Sequence, residues 1–145
     1  MVDTSPKSVT KRSATASAKI RFSPQAFQKF LKEGSPKGNV LETAKIAGIM
    51  AAKATPQIIP MCHPLELNKV NITFEIRKEH SLVIVLAEVN CWGRTGVEME
   101  ALTAASVASL TIYDMMKWAD KRMVIEDVKL LAKSGGASGA FSLKQ

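Results

Sequence analysis

Val70-Asn71-Ile72-Thr73-Phe74-Glu75-Ile76-Arg77-Lys78-Glu79-His80-Ser81-Leu82-Val83-Ile84-Val85-Leu86 is the stretch whose reading decides the fold. Val70, Ile72, Phe74 and Ile76 alternate with Asn71, Thr73, Glu75 and Arg77, the two-residue period of a strand with one buried face. Leu82, Ile84 and Leu86 resume an apolar face after the polar connection Lys78-Glu79-His80-Ser81, so the two runs pair as an antiparallel hairpin. Gly93 and Gly96 end the pattern.

Working outward, residues 97–119 contain no Gly or Pro and are rich in Ala, which predicts a long helix. At about 1.5 Å per residue it would reach about 33 Å, the width of a domain. An imperfect alternation, Val124, Glu126, Val128, Leu130, makes residues 123–132 a last strand, followed by a Gly/Ser-rich tail. On the other side of the hairpin, Asn39 with Glu42 three residues on resembles a capping box that opens a helix, expected to stop before Pro56. Ser23-Pro24 opens a shorter helix ending at Gly34, and Ile20 and Phe22 mark a short first strand. Residues 1–16 show no apolar period and read as a partly flexible arm before a single domain over 17–145. The order βαββαβ with one extra short helix predicts an α+β, ferredoxin-like sandwich, its antiparallel sheet covered by helices on one face.

A chain of 145 residues that is 46% hydrophobic and 23% charged can bury a core, which excludes disorder for the bulk of it. Its net charge of +7 favours anionic partners, nucleic acid or phosphorylated small molecules among them. No uncharged run is long enough to span a membrane, and residues 1–7 lack the apolar core of a secretory signal, so the cytoplasm is the expected compartment. Cys62 and Cys91 read as reduced, buried thiols, and two histidines without paired cysteine spacing offer no protein metal site. RNA-binding modules of this topology stack bases on strand aromatics, and only Phe22 and Phe74 are available, which disfavours nucleic acid. A non-catalytic domain that senses a small anion is the other alternative.

Polar residues that interrupt apolar patterns gather at Lys37, Cys62-His63, Glu98-Met99-Glu100, Asp114 with Lys117, and Lys133. Asp114 and Lys117 are three apart on one helix face, where a carboxylate can set the protonation of an amine or form an ordinary surface pair. Glu98 and Glu100 suit the start of a helix through its dipole alone. His63, in the stiff loop Pro60-Met61-Cys62-His63-Pro64, is a proton donor or acceptor near neutral pH or a structural hydrogen-bonding residue. Fourteen residues separate Glu100 from Asp114, about 21 Å along a helix axis, so no small-molecule pocket within one straight helix holds both. If both helix ends serve one site, two subunits must build it. Ala101, Ala104, Ala105, Ser106, Ala108 and Ser109 between them would permit close packing against another helix.

The runs Ala44-Lys45-Ile46-Ala47-Gly48-Ile49, Ile59-Pro60-Met61-Cys62-His63-Pro64-Leu65, Thr95-Gly96-Val97-Glu98-Met99-Glu100-Ala101-Leu102-Thr103, Leu110-Thr111-Ile112-Tyr113-Asp114-Met115 and Leu131-Ala132-Lys133-Ser134-Gly135-Gly136 resemble the cyclic pyranopterin monophosphate synthase family, the molybdenum cofactor biosynthesis protein C group. The resemblance runs almost end to end. It implies a ferredoxin-like fold in a homohexamer, a trimer of dimers with active sites between subunits. It also implies conversion of (8S)-3',8-cyclo-7,8-dihydroguanosine 5'-triphosphate to cyclic pyranopterin monophosphate plus diphosphate. By matching motif, Asp114 and Lys117 are the implied catalytic pair. Met61, Cys62, His63, Met99 and Glu100 are implied substrate contacts, and Lys37, Glu98 and Lys133 implied to line the same pocket. No cofactor is firmly implied, although a divalent cation could accompany the triphosphate. The sequence departs from the family at Asn39, Met61, Ala137 and Ala140, none of them a proposed catalytic group.

Overall fold

Small side chains build the centre of the sheet. In the computed structural model, which describes residues 1–143, the first strand β1 is Thr10–Arg21, and Ala14, Ala16, Ala18 and Ile20 are its buried face. Residues 10–16, expected in the arm, therefore belong to a central strand. Alanines alternating with Ser and Thr give little hydropathy contrast, but their methyl groups leave room for a helix to lie close on the sheet.

Ser23 caps α1, Pro24–Lys32, its side-chain oxygen accepting from the Ala26 N–H at 3.3 Å. Asn39 caps α2, Val40–Ile58, accepting from the Glu42 N–H at 3.0 Å. Only that half of the expected capping box forms, because the Glu42 carboxylate accepts from Lys45 instead. Helix α2 also passes its expected stop: Pro56 lies inside it, forfeiting its own hydrogen bond in the last turn while the Ile59 N–H still reaches the Thr55 carbonyl at 2.8 Å.

The hairpin forms as β2, Leu67–Arg77, and β3, Leu82–Gly93, joined by a 3₁₀ turn at Lys78–His80. Val70, Ile72 and Phe74 face the core as expected, whereas Ile76 is exposed. On β3 the core face is Val83, Val85, Ala87, Val89 and Cys91; of the three residues expected there, Leu82 is buried at the start of the strand, whereas Ile84 and Leu86 lie half-buried on the other face. This strand is apolar on both faces, so alternation cannot choose between them; the register Ile72↔Ala87 and Phe74↔Val85 does.

Helix α3, Glu98–Met116, precedes β4, Val124–Ser134, and a two-residue β5, Phe141–Ser142. The sheet order is β2-β3-β1-β4-β5 with every neighbour antiparallel, the ferredoxin-like arrangement with α1 and β5 added. Two register shifts between β1 and β4 explain the imperfect alternation of the last strand, and Asp127 at the second takes a φ of 57°. Ion pairs such as Lys69 with Glu88 and Arg21 with Glu126 occupy the open face of the sheet. Phe22 packs with Phe27 and Phe30, and Phe74 faces the core, so neither strand aromatic is offered to a nucleic-acid base. Among the described residues, no helix is long and apolar enough to cross a membrane.

The partner of the small-residue stripe on α3 is α2 of the same chain. Ala101, Ala104, Ala105 and Ala108 are fully buried, and a methyl group added at Gly48 of α2 would lie 3.1 Å from the Ala104 carbonyl oxygen and 3.3 Å from Ala108 Cβ. Gly48→Val forces these helices apart. It should destabilise the fold by about 1–3 kcal/mol, read as a lowered chemical-denaturation midpoint; an unchanged midpoint would show that the contact tolerates a larger side chain.

Candidate active site

At the C-terminal end of α3, Asp114 is held between two ammonium groups. Lys117 Nζ is 2.7 Å from one carboxylate oxygen and Lys37 Nζ 2.7 Å from the other. Lys117 lies three residues on and so meets Asp114 across one helical turn. Lys37 arrives from the turn Ser35-Pro36-Lys37-Gly38, closed by the Gly38 N–H to the Ser35 carbonyl. Gly38 has a φ of 115°, which a side chain would resist, and the Ser35 hydroxyl donates to the Met115 carbonyl at 2.7 Å. The turn thus satisfies one open carbonyl of the helix end and aims a cation where the helix dipole favours it.

Hydrogen bonds from Lys117 and then Lys37 hold the Asp114 carboxyl down at about 2. In return, Asp114 raises Lys117 above the ordinary lysine value. The pair is therefore an aspartate and an ammonium, and Lys117 enters any reaction as a proton donor. Being half exposed, the three groups are open to a charged ligand.

The opposite end of α3 holds a second cluster. Met61, Cys62 and His63 line a cleft of ≈ 150 Å³ with Glu98, Met99 and Glu100. It adjoins, through Thr95, Gly96 and Glu98, a larger cleft of ≈ 710 Å³ walled by Lys7, Arg12, Arg94, Lys133 and the Gly136-Ala137-Ser138 backbone. The Glu98 carboxylate folds back over Gly96, where any Cβ would collide with it, and reaches Lys133 Nζ at 3.3 Å. Lys133 also donates to the Ser138 hydroxyl at 2.6 Å. Glu100 is 3% exposed with no cation paired to it among the described residues, and burial pushes its carboxyl upward. Burial first and the Glu100 charge second raise the thiols of Cys62 and Cys91, which favours the neutral thiol over a reactive thiolate. Both cysteines are free. Among the described residues, no cluster of three His, Cys, Asp or Glu is placed to hold a metal ion.

Of the ten residues singled out from sequence, seven meet at the N-terminal end of α3 and three, Lys37, Asp114 and Lys117, at the other. The fourteen-residue interval keeps them about 21 Å apart along the axis. Within one chain they do not form a single pocket.

Sequence reasoning missed Arg12. The residue is 7% exposed, its guanidinium donating to the carbonyls of Gly93 at 3.1 Å and Arg94 at 3.2 Å, with no carboxylate paired to it among the described residues. Gly136, at a φ of 80°, packs directly on it where any side chain would clash. The signal was present: Arg12 has the parity of Ala14, Ala16 and Ala18, a charge on the buried face of a strand. A desolvated, uncompensated guanidinium facing a cleft favours a bound anion.

The fold and the one basic cleft define an α+β protein with a site suited to a small anionic molecule. Residues 1–136 match the MoaC family, and the chain belongs to it. It is 55% identical over 141 residues to the cyclic pyranopterin monophosphate synthase of Desulfatibacillum aliphaticivorans, covering 97% of this chain and 89% of that one. Over the same 97% it is 52% identical to the synthase of Magnetococcus marinus and 53% identical to that of Staphylococcus carnosus, covering 86% and 88% of those chains.

Because its folded value is depressed, Asp114 stabilises the native state fully above the ordinary carboxylate range and loses that contribution as pH falls toward 2. In a carboxyl-carbon NMR titration Asp114 should have its midpoint near 2 in the intact chain, moving toward the ordinary 3.8 when Lys37 and Lys117 are both replaced by Ala. A midpoint that stays put in the double variant would mean the lysines do not set it.

Proposed function

We propose that the chain is a cyclic pyranopterin monophosphate synthase of molybdenum cofactor biosynthesis. It converts (8S)-3',8-cyclo-7,8-dihydroguanosine 5'-triphosphate to cyclic pyranopterin monophosphate and diphosphate, as a cytoplasmic homohexamer, a trimer of dimers. The observation that carries this reading is the pairing of two incomplete half-sites on one rigid helix. One end carries the acid and base pair of Asp114 and Lys117; the other carries a basic cleft walled by Arg12 and Lys133, beside the smaller cleft of His63 and Glu100. Across a two-fold interface that sets the helices antiparallel, each chain supplies what its partner lacks.

In the composite site, Arg12 and Lys133 hold the phosphates while diphosphate leaves and the remaining phosphate closes to a cyclic ester. Arg12 suits this task because its carbonyl partners fix its direction before the ligand arrives, so little reorganisation is needed. On binding, phosphate competes with Glu98 for the Lys133 ammonium. Lys117 gives a proton to a ring nitrogen or oxygen and recovers it later, and Asp114 keeps its negative charge throughout because it lies far below neutrality. Lys37 shares Asp114 with Lys117, so drawing Lys37 onto a phosphate weakens one of the two bonds to the carboxylate and strengthens its hold on Lys117. Glu100, buried and shifted upward, is the second group able to exchange a proton closer to neutral pH. His63 and Met61 border the same cleft and contact the heterocycle.

The test follows diphosphate release and pterin formation from the cyclised triphosphate. Wild type should yield both products together, and Lys117→Ala should lower kcat by about 10²–10⁴-fold while still binding substrate. Tight binding by a folded wild type without product would replace the enzyme reading with an anion-sensing one.

A further inference from the structure

His63 is held by the first residues of its own chain. Its Nε2 lies 2.8 Å from the Val2 carbonyl oxygen. A carbonyl only accepts, so the ring donates from Nε2 and, when neutral, keeps Nδ1 as its acceptor. The segment that supplies this carbonyl is itself shaped. The Ser5 N–H donates to Asp3 Oδ1 at 2.9 Å and the Lys7 N–H to the Thr4 carbonyl at 3.0 Å, with Pro6 fixing one torsion of the turn between them.

That turn carries the chain along the mouth of the N-terminal half-site. Val2, Thr4 and Lys7 share a cleft of ≈ 520 Å³ with Met61, His63 and Thr95. Pro6, Lys7 and Ser8 then wall the ≈ 710 Å³ cleft that holds Arg12 and Lys133. One short segment thus touches both the histidine and the anion cleft, and its Lys7 lines the latter.

We propose that residues 2–8 are a strap belonging to the substrate pocket: the Val2 carbonyl fixes the ring of His63 in its Nε2–H form, and the turn at Thr4–Lys7 closes the anion cleft over a polyphosphate. Val2 and Lys7 are positioning residues here, acting through His63 and through enclosure. The identity of the substrate rests on the function proposed above; the strap itself can be read without turnover.

The experiment compares the full chain with a variant lacking residues 1–8. Nitrogen NMR of histidine-labelled protein at about pH 8.5, above the ordinary imidazole range, should show His63 as the Nε2–H tautomer in the full chain and as a mixture in the variant. His80, in the hairpin connection, serves as the internal reference. Inorganic triphosphate affinity, and 1/KM for the cyclised nucleotide, should each fall about tenfold, the effect of losing one or two hydrogen bonds, with kcat changed less than about twofold. Pro6→Gly, which keeps the chain length and loosens the turn, should shift both in the same direction by a smaller factor. An Nδ1–H tautomer in the full chain overturns the proposal, and so does unchanged triphosphate affinity in both variants. A lower KM in the variant also overturns it, since the strap would then compete with substrate. Failure of the synthase reading would look different: no product from the full chain, with the tautomer and the triphosphate response intact.

Discussion

Helix α3 is the rigid spacer around which the molecule is organised. Its stripe of alanines and Ser109 lets it lie close on the sheet beside α2, with Ala104 and Ala108 against Gly48 on one side and the methyl-lined β1 beneath. Packing this close leaves no freedom to bend, and without a bend the acid and base pair at one end cannot approach the clefts at the other. The same alanines that make the core tight therefore keep the two groups of candidate residues at opposite ends of one helix, which is the separation the proposed two-subunit site answers.

The electrostatic divisions follow from where each group sits on that spacer. At the C-terminal end, cations are favoured by the helix dipole and by solvent, so Asp114 takes two lysine partners, is driven down to about 2, and leaves Lys117 protonated. At the N-terminal end, Glu100 is buried beside the cleft of Met61, Cys62 and His63 with no cation paired to it among the described residues, and burial raises its carboxyl. Arg12, also buried, donates to the carbonyls of Gly93 and Arg94 and pairs with no carboxylate among the described residues.

Much of this is legible in the amino-acid sequence where contrast is high. The alternation of Val70, Ile72 and Phe74, the caps at Ser23 and Asn39, and the unbroken helix before Asp114 all carry strong local signals, and the fourteen-residue interval already divides the candidate residues into two groups. What could not be read has low contrast or is not local. Strand β1 hides in alanines, and β3 is apolar on both faces, so its buried side is chosen by pairing with β2. Pro56 is tolerated because it falls in a last turn. Arg12 is recognisable only once residues 10–16 are known to be strand, and the bond from His63 to Val2 joins positions with no sequence relation.

The account stands on the composite site, and mixing two inactive chains tests it most directly. Lys117→Ala removes the proton donor of the acid and base end and Lys133→Ala the phosphate-holding ammonium of the cleft end, so oligomers assembled from equal amounts of the two should contain intact pairs at about a quarter of their sites. Recovery of about that fraction of wild-type turnover is the predicted result. Mixed oligomers as inactive as either parent, with subunit exchange verified, would contradict it and place the whole reaction within one chain.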